Sequence, residues 1–428
     1  MRISSKIKVN GIKLLDWLNE TFYYYAPQPL MFASDEALEA TDRIFYEDIK
    51  NAVAPDGFYS YGYHIDKAIM QNRWYPLSGD QCLHQGLLIT TVAFRCAVKQ
   101  DKSDYELLER LINAACSLVT DEGKLLRGRT SHYQDGEKGK WKRAMYRVDS
   151  HNVSGDQLGG FVLWVAVIKY LINNEKIELN GRICQLIDDT VKRLYESMQM
   201  NMMMLTGLDG EVSTGEFPYW SVKACDGQAT TVLALTLLAG DYDFANTLIK
   251  EYDYDRLCEY AEVHLFGRNN WFGAHVTAIS LFSIYLSCLG CKPYKVVEWK
   301  NSAVKGLDRI AFNTRDWGHG LYSLLWCFAS GQQPNSEQVR SWLVSYIHIE
   351  IPEPIKKGKT WYGKKWKTAI PIRARWDSDY MIQRELFVNP PSDATSPEGM
   401  YPDHAWTKYY RRHDFCLTKA LKDYLERR

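Results

Sequence analysis

Three acidic turns, each followed by a long apolar segment, carry the residues of this chain that are best suited to chemistry. The tetrapeptide Ser-Gly-Asp-Gln occurs twice and Cys-Asp-Gly-Gln once, and their acidic residues are Asp80, Asp156 and Asp226. A repeat at a spacing of roughly seventy residues indicates stacked supersecondary units, each opening a buried helix with an acid and an amide. We therefore expect the three carboxylates to meet around one rim of the molecule.

Two carboxylates that face each other across a cleft can divide acid and base catalysis between them. One is kept protonated by burial while the other stays ionised and activates water, and their separation decides between inversion and retention. In this hypothesis Asp156 and Asp80 are the acid and the base, and Asp226 substitutes for either. The alternative is that each acid only caps its helix, because Asp and Ser are good N-cap residues.

The densest polar stretch of the chain precedes Asp156 and contains Arg147, Asp149, His151 and Asn152. A histidine flanked by carboxylates near a helix start can act as a base at neutral pH, and an arginine can bind an acidic substrate group. We assign catalysis to His151 and substrate binding to the other three residues. The alternative is a loop histidine that is hydrogen-bonded for structural reasons.

Aromatic and polar residues recur at the predicted starts of the apolar helices. Asn can polarise a carboxylate, and Trp can stack on a sugar ring. The alternative is that Asn270 caps its helix and that His275, one turn further on, is a core residue. The pattern indicates a ring-lined groove, whose substrate-binding candidates are Trp74, Trp220, Asn270, Trp271, His275, Trp317, His319, Trp376 and Asp377.

Two kinds of helix are expected to position these residues. Segments such as 158–172 are apolar on every face and must be surrounded by other elements. Segments such as 107–119 and 187–198 carry one apolar stripe with charged residues opposite. Their alternation predicts an all-α fold, an (α/α)6 toroid whose inner helices run the same way. Five helix pairs are clear, and residues 35–53 with 403–424 are expected to close the sixth.

The chain is predicted to form one domain over residues 1–428, because no Pro-rich or Ser-rich linker divides it. Loops near 124–147 and 356–375 are rich in Gly, Lys, Arg and aromatic residues. We expect them to be hairpins on one rim, each delivering an Asp-Ser cap to the next helix. Lys plus Arg and Asp plus Glu number 52 each, which argues against nucleic acid as a partner, although the basic loops can attract an anionic ligand.

Composition and motifs also predict the compartment in which the protein acts and whether it needs a metal or a cofactor. The N-terminus lacks an export signal, and the most apolar runs are shorter than the roughly twenty residues that span a bilayer. We expect a soluble cytoplasmic protein with no membrane partner, or one that is released non-classically or held in a particle. Ten cysteines without framework spacing indicate reduced, buried thiols. No zinc spacing, P-loop or dinucleotide fingerprint occurs, so no metal and no cofactor are expected.

The alternating helices, rim loops and Trp-Asp clusters resemble the α/α-toroid superfamily of carbohydrate-active enzymes. This superfamily includes glycoside hydrolases, uronate lyases and sugar epimerases, and the resemblance is architectural over most of the chain. Residues 268–271, Arg-Asn-Asn-Trp, are similar to the Asn-Asn-His stretch of toroidal alginate lyases. Trp271 stands where that family has His, so the lyase base does not transfer to it.

The leading hypothesis is a glycan-cleaving enzyme, a glycoside hydrolase that acts on an oligosaccharide or polysaccharide, with an anionic substrate among those expected. A uronate lyase is the first alternative, with His151 or His275 as base and Asn270 or Arg147 as neutraliser of the uronate. The second is a non-catalytic helical protein whose basic, aromatic rim binds a glycan or another polyanion. The sequence leaves the oligomeric state open.

Overall fold

The computed structural model describes residues 32–59, 64–65, 73–74, 81–130, 147–149, 153–213, 216–221, 226–261, 271–289, 297–314, 320–348 and 405–428, together with residues 10, 11, 13, 14 and 17. Of these residues 74% are helical and 3% lie in strands, so the predicted all-α fold is confirmed.

The helices are α1 Asp35–Asn51, α2 Gln81–Lys99, α3 Lys102–Cys116, α4 Gly155–Asn173, α5 Gly181–Met200, α6 Asp226–Leu238, α7 Tyr242–Tyr252, α8 Tyr254–Glu259, α9 Trp271–Leu289, α10 Val297–Thr314, α11 Gly320–Ser330, α12 Ser336–His348 and α13 Ala405–Arg427. The strands are β1 His64–Ile65, β2 Arg73–Trp74, β3 Gly128–Thr130 and β4 Arg147–Asp149, and they form two antiparallel pairs, β1 with β2 and β3 with β4.

Six helices contact one another in sequence, and we call them the circuit helices: α2, α4, α6, α9, α11 and α13. Each contacts the next in this order, and α13 contacts α2. The remaining helices flank them; α3 packs on α2, α10 on α9, and α12 on α13. Helix α1 also packs on α13, so the two terminal segments that were expected to pair are in contact.

The circuit helices α2, α4, α9, α11 and α13 run in the same direction, because equivalent parts of them touch at both ends. Near their C-terminal ends the ring of Phe328 lies 5.1 Å from that of Phe282 and 5.5 Å from that of Tyr170. Towards the N-terminal side the rings of His84 and His413 lie 5.9 Å apart. One end of the bundle is therefore filled by aromatic rings, and polar side chains lie towards the other.

Two glycines let α2 and α4 approach each other closely. A Cβ atom on Gly86 would lie 2.2 Å from the backbone oxygen of Gly160, and one on Gly160 would lie 2.5 Å from the Cα of Leu83. Distances this short exclude any side chain at either position without a shift of backbone. The contact fixes the spacing of the helices that begin with the first two acidic turns.

Helices α1, α3 and α5 are each followed by the same tight turn, a repeat that the sequence analysis did not identify. In the first, the Gly57 N–H donates to the oxygen of Ala54 at 2.9 Å, and the equivalent bonds of Gly123 and Gly210 are 2.9 and 3.0 Å long. The three glycines have φ between +76° and +90°, which residues with a Cβ rarely adopt. A Cβ on Gly57 would also meet the Arg110 oxygen of α3 at 2.4 Å, so this turn docks on the next flanking helix.

The loop predicted near 124–147 begins and ends as a two-stranded ladder, with Thr130 opposite Arg147 and Gly128 opposite Asp149. Residues 131–146 and the predicted loop 356–375 lie outside the described residues. The expected Asp-Ser cap of α4 is wrong. The N-cap is Ser154, because the Gln157 side chain accepts a hydrogen bond from the Ser154 N–H at 2.7 Å.

Helix α4 is the one helix in the described part of the chain that is long and apolar enough to cross a membrane. Of its apolar window 78% is buried inside the protein, since α2, α6 and α9 pack around it. It is therefore compatible with the core helix of a soluble protein. The eight cysteines of the described residues are free thiols, and all but Cys184 are buried.

Candidate active site at the helix N-termini

The starts of the circuit helices that follow the acidic turns are neighbours. The thiol of Cys82, in the first turn of α2, lies 3.5 Å from the backbone oxygen of Gln157 in the first turn of α4. A Cβ on Gly227, next to Asp226, would lie 3.7 Å from the Thr277 hydroxyl of α9. Segments adjoining the acidic turns thus gather at one end of the bundle.

Two of the three glutamines of the acidic turns, Gln81 and Gln228, fasten loop backbone around this end, whereas Gln157 bonds the N-cap of its own helix. Gln228 donates to the oxygen of Phe217 at 2.6 Å and accepts from its N–H at 3.3 Å. Gln81 donates to the oxygen of Tyr59 at 2.9 Å and accepts from the Arg129 N–H at 2.5 Å. The amides are therefore structural clamps, which explains why glutamine recurs in the repeat.

The clamp at Gln228 positions a carboxyl group that the sequence analysis missed, that of Glu216. It lies against the first turn of α4, where its Oε1 is 3.5 Å from the position of a Cβ on Gly155. Burial raises the pKa of Glu216 to about 7, a backbone hydrogen bond from Leu205 opposes the rise, and the charge of Asp156 adds to it. At neutral pH this glutamate therefore carries a proton for a substantial part of the time.

The segment that carries Glu216 is held at several points. The Glu216 N–H donates to the oxygen of Ser213 at 3.1 Å, and the Tyr219 N–H donates to that of Met202 at 3.1 Å. The Tyr254 hydroxyl donates to the Tyr219 oxygen at 2.9 Å. A carboxyl group on such a segment keeps its orientation without help from a ligand.

Asp156 occupies the first turn of α4 and is half-buried. The N-terminus of a helix favours a negative charge, because its free N–H groups and its dipole point towards it. The first turn of α4 is thus a favourable place for a negative charge, whereas the environment of Glu216 favours its protonated form. A carboxyl group that is kept protonated next to a second carboxyl group is the arrangement used for acid and base catalysis.

An exposed tryptophan lies close to this pair in the chain. Trp220 follows Glu216 by four residues, and its side chain is 38% exposed. The ring of the adjacent Tyr219 packs edge-on against Phe244 at 5.1 Å and against Tyr252 at 5.4 Å, which anchors the segment from below. The segment therefore presents one ring to solvent and one to the core.

Of the residues singled out in the sequence, the structure describes the side chains of Asp156, Trp220 and His275. Asp156 lies next to Glu216, and Trp220 follows Glu216 by four residues in the chain. For some others only the backbone is described, namely Trp74, Arg147, Asp149, Asp226 and Trp271. The rest lie outside the described residues: Asp80, His151, Asn152, Asn270, Trp317, His319, Trp376 and Asp377.

His275 is fully buried and belongs to a polar cluster inside the bundle. Its Nε2 lies 3.7 Å from a carboxylate oxygen of Asp414, and its ring lies 6.2 Å from that of Tyr322. His84 and His413 complete the cluster and are also buried. Within the described residues no three His, Cys, Asp or Glu side chains are arranged to hold a metal ion. A ligand at the surface does not reach His275 in this conformation.

Glu216 carries little signal in the sequence, because it lies in a loop without periodicity or a motif. The one available clue is an acid within the aromatic stretch that leads to the third acidic turn, residues 216–220. Its significance follows from packing, since only the fold brings it against the first turn of α4.

No protein-family model, no curated protein and no solved structure matches this chain. The function is therefore argued from the geometry and chemistry of the site itself.

Proposed function

We propose that this protein is a glycoside hydrolase that cleaves an oligosaccharide or polysaccharide at the N-terminal end of the circuit helices. The observation that supports this most is the pair Glu216 and Asp156, in which burial raises the pKa of Glu216 to about 7 and the charge of the neighbouring Asp156 adds to the rise. Glu216 is the general acid, and Asp156 is the base or nucleophile.

In the proposed reaction Glu216 donates its proton to the glycosidic oxygen as the bond to the anomeric carbon breaks. Asp156 either removes a proton from the attacking water or attacks the anomeric carbon itself. The positive charge that develops on the sugar ring is stabilised by the Asp156 carboxylate. Trp220 offers a flat apolar ring on which a neighbouring sugar stacks.

This assignment revises the pair expected from the sequence. Asp156 keeps a catalytic role, and Glu216 takes the place expected for Asp80. Asp80 and Asp226 remain candidates for binding or for positioning water, because the segments beside them adjoin the same end of the bundle.

The arrangement of helices supports the same class of enzyme. The order of contacts among the circuit helices, the common direction of five of them and their flanking partners support an (α/α)6 toroid, which we propose as the architecture, with α4 also packing directly on α9. In such a ring the N-terminal end carries the loops and the opposite end is closed, here by the aromatic side chains around Phe328. The free thiols favour action in a reducing compartment such as the cytoplasm.

The test is turnover on a panel of neutral and anionic oligosaccharides, measured as new reducing ends. Wild type is compared with Glu216→Gln, Asp156→Asn and the matched control Glu211→Gln, an exposed glutamate of the preceding loop. We expect losses of about 10²- to 10⁴-fold in the first two variants and none in the control. Binding of the same glycans is followed in parallel.

Other outcomes identify the alternatives. A product that absorbs in the ultraviolet through a new C=C bond indicates a uronate lyase. Glycan affinity without turnover in the wild type, and unchanged affinity in Asp156→Asn, indicates a binding protein.

A further inference from the structure

The polar cluster beneath the proposed active site joins the C-terminal helix to the rest of the bundle. It consists of His84 from α2, His275 from α9, and His413 with Asp414 from α13, and these four side chains are at most 1% exposed. The rings of His84 and His413 lie 5.9 Å apart, and His275 lies 3.7 Å from Asp414. We call this set the histidine cluster.

Two tyrosines complete its surroundings. The Tyr59 hydroxyl shares a short hydrogen bond with Nε2 of His413, and the ring of Tyr322 in α11 faces His275. Among the residues that the structure describes, three imidazoles, two phenols and one carboxylate are therefore the titratable groups of the cluster and its immediate surroundings.

The opposite side of α13 faces α1 through ordinary ion pairs. Arg412 lies 2.5 Å from Asp48, and Lys419 lies 2.5 Å from Glu39 and 2.6 Å from Asp423. Burial acts to raise the pKa of Glu39, but the hydrogen bond and the charge of Lys419 outweigh it and the pKa is lowered. Asp423 differs, because burial raises its pKa.

A buried ion pair of Asp42 with Arg95, at 2.7 Å, also lies on this side of the helix, next to Cys416. This pair, too, involves a carboxylate and not an imidazole. Within the described part of the α13 interface, the histidine cluster therefore holds the side chains whose ordinary pKa lies nearest to neutrality.

The charge count of the cluster changes sharply on acidification. With neutral imidazoles the enclosed space holds one negative charge at most. Protonation of His84 and His413 places two positive charges beside the single carboxylate of Asp414, in a region from which water is excluded. Such an excess of charge is relieved when α13 moves away and the imidazoles reach solvent.

We propose that the histidine cluster is an acid-sensitive latch, which holds α13 against α2 and α9 while its imidazoles are neutral and releases this helix when they are protonated. Its release uncovers the interior of the bundle below the N-terminal end, so acid opens the molecule from the side of α13. The latch does not depend on the proposed hydrolase activity.

The electrostatics of two of the histidines agree with this inference. Burial lowers the pKa of His84 to about 3, with a further contribution from His275. Burial likewise lowers the pKa of His413 to about 3, and His84 adds to the effect. Both imidazoles are therefore neutral in the closed form and take up protons when the helix opens, where the ordinary pKa of 6.5 applies.

Proton linkage sets the size of the effect. Two histidines that gain protons on opening raise the opening equilibrium by about 100-fold between pH 7.5 and 5.5, about 10-fold for each. The flanking helix α5 Gly181–Met200 contacts α3 and α6 and is the internal reference.

The experiment is hydrogen–deuterium exchange of the full chain, read by mass spectrometry at about pH 7.5, 6.5 and 5.5 and corrected for the intrinsic exchange rate. We expect α13 to open about 100-fold more at the lowest pH, while α5 stays protected. The double variant with His84→Gln and His413→Gln is expected to lose the pH dependence of α13 opening. Asp423→Asn retains it, because Asp423 lies outside the cluster.

If the double variant does not fold, the single variant His84→Gln decides, with an expected residual change of about 10-fold. Equal loss of protection in α5 and α13, or an undiminished 100-fold change in either glutamine variant, overturns the latch.

Discussion

Burial of Glu216 beside Asp156 has opposite consequences for stability and for catalysis. The pKa of Glu216 is about 7 in the folded chain and 4.5 when exposed, so the folded state binds the extra proton between these values. Stability therefore falls as the pH rises from about 4.5 to 7, by about 3 kcal/mol in all. In the proposed reaction the same raised pKa keeps the proton available for the glycosidic oxygen.

The first prediction concerns Glu216→Gln. An amide cannot ionise and still accepts the hydrogen bond from Leu205. The variant therefore does not lose stability as the pH rises from about 4.5 to 7. We expect it to be more stable than wild type by up to about 3 kcal/mol at pH 8 and equal at pH 4.5. Urea unfolding of the variant and of wild type at pH 8 and pH 4.5 measures the difference in the free energy of unfolding. A variant that is less stable than wild type at pH 8 contradicts the assignment.

The second prediction is the pH dependence of turnover. A general acid must be protonated, so kcat/KM is expected to fall about tenfold per pH unit above a pKa of about 7. The control variant Glu211→Gln changes an exposed residue of the same loop and should leave this fall in kcat/KM unchanged. An activity that stays level up to pH 9 excludes Glu216 as the acid.

At the scale of elements, the spacing of α2 and α4 is set by the contact of Gly86 with Gly160. The third prediction is that Gly160→Ala destabilises the protein by about 1–3 kcal/mol, because its Cβ meets backbone of α2 that cannot move aside. Gly181→Ala is the matched control. It lies in the first turn of α5 with nothing within 4 Å, and we expect it to be neutral or slightly stabilising. Equal thermal stability of the two variants contradicts this account of the contact.

The sequence predicted the long helices well, because their apolar periodicity extends over several turns. The predicted segments 158–172 and 187–198 became α4 Gly155–Asn173 and α5 Gly181–Met200. The short α7 and α8 were not predicted, since eleven and six residues give a weak periodic signal. The cap of α4 was misplaced because Asp149 and Ser150 look like a cap in sequence, whereas β4 continues through Asp149.

The site was predicted less completely than the helices. Asp156 followed from the repeat, but the repeated glutamines proved to be clamps for loop backbone. Glu216 owes its high pKa to burial in the folded chain, and loop sequences do not reveal which carboxyl groups become buried.

At the scale of the whole molecule, stability is expected to pass through a maximum. Between pH 3 and 6.5 the unfolded chain binds protons that buried His84 and His413 do not, so these residues make stability rise with pH. Glu216 acts in the opposite direction from about 4.5 to 7. The two histidines outweigh the single glutamate in this range. The free energy of unfolding therefore rises by a net value of about 1.4 kcal/mol per pH unit from pH 4.5 to 6.5.

The fourth prediction is therefore maximal stability near pH 6.5, with about 3 kcal/mol less at pH 4.5. Free energies of unfolding in urea across this range measure the curve. In Glu216→Gln the rise towards pH 6.5 should become about twice as steep. A stability that increases steadily as the pH is lowered from 6.5 to 4.5 contradicts the roles given to the buried histidines.

The proposed reaction requires that Glu216 retain its proton close to neutrality. It is tested most directly by nuclear magnetic resonance of the chain labelled with ¹³C at the glutamate carboxyl groups and titrated from pH 4 to 9. We expect one carboxyl resonance that titrates near pH 7, is absent in Glu216→Gln, and moves to lower pH in Asp156→Asn. A spectrum in which every glutamate has finished titrating below pH 5.5 contradicts it.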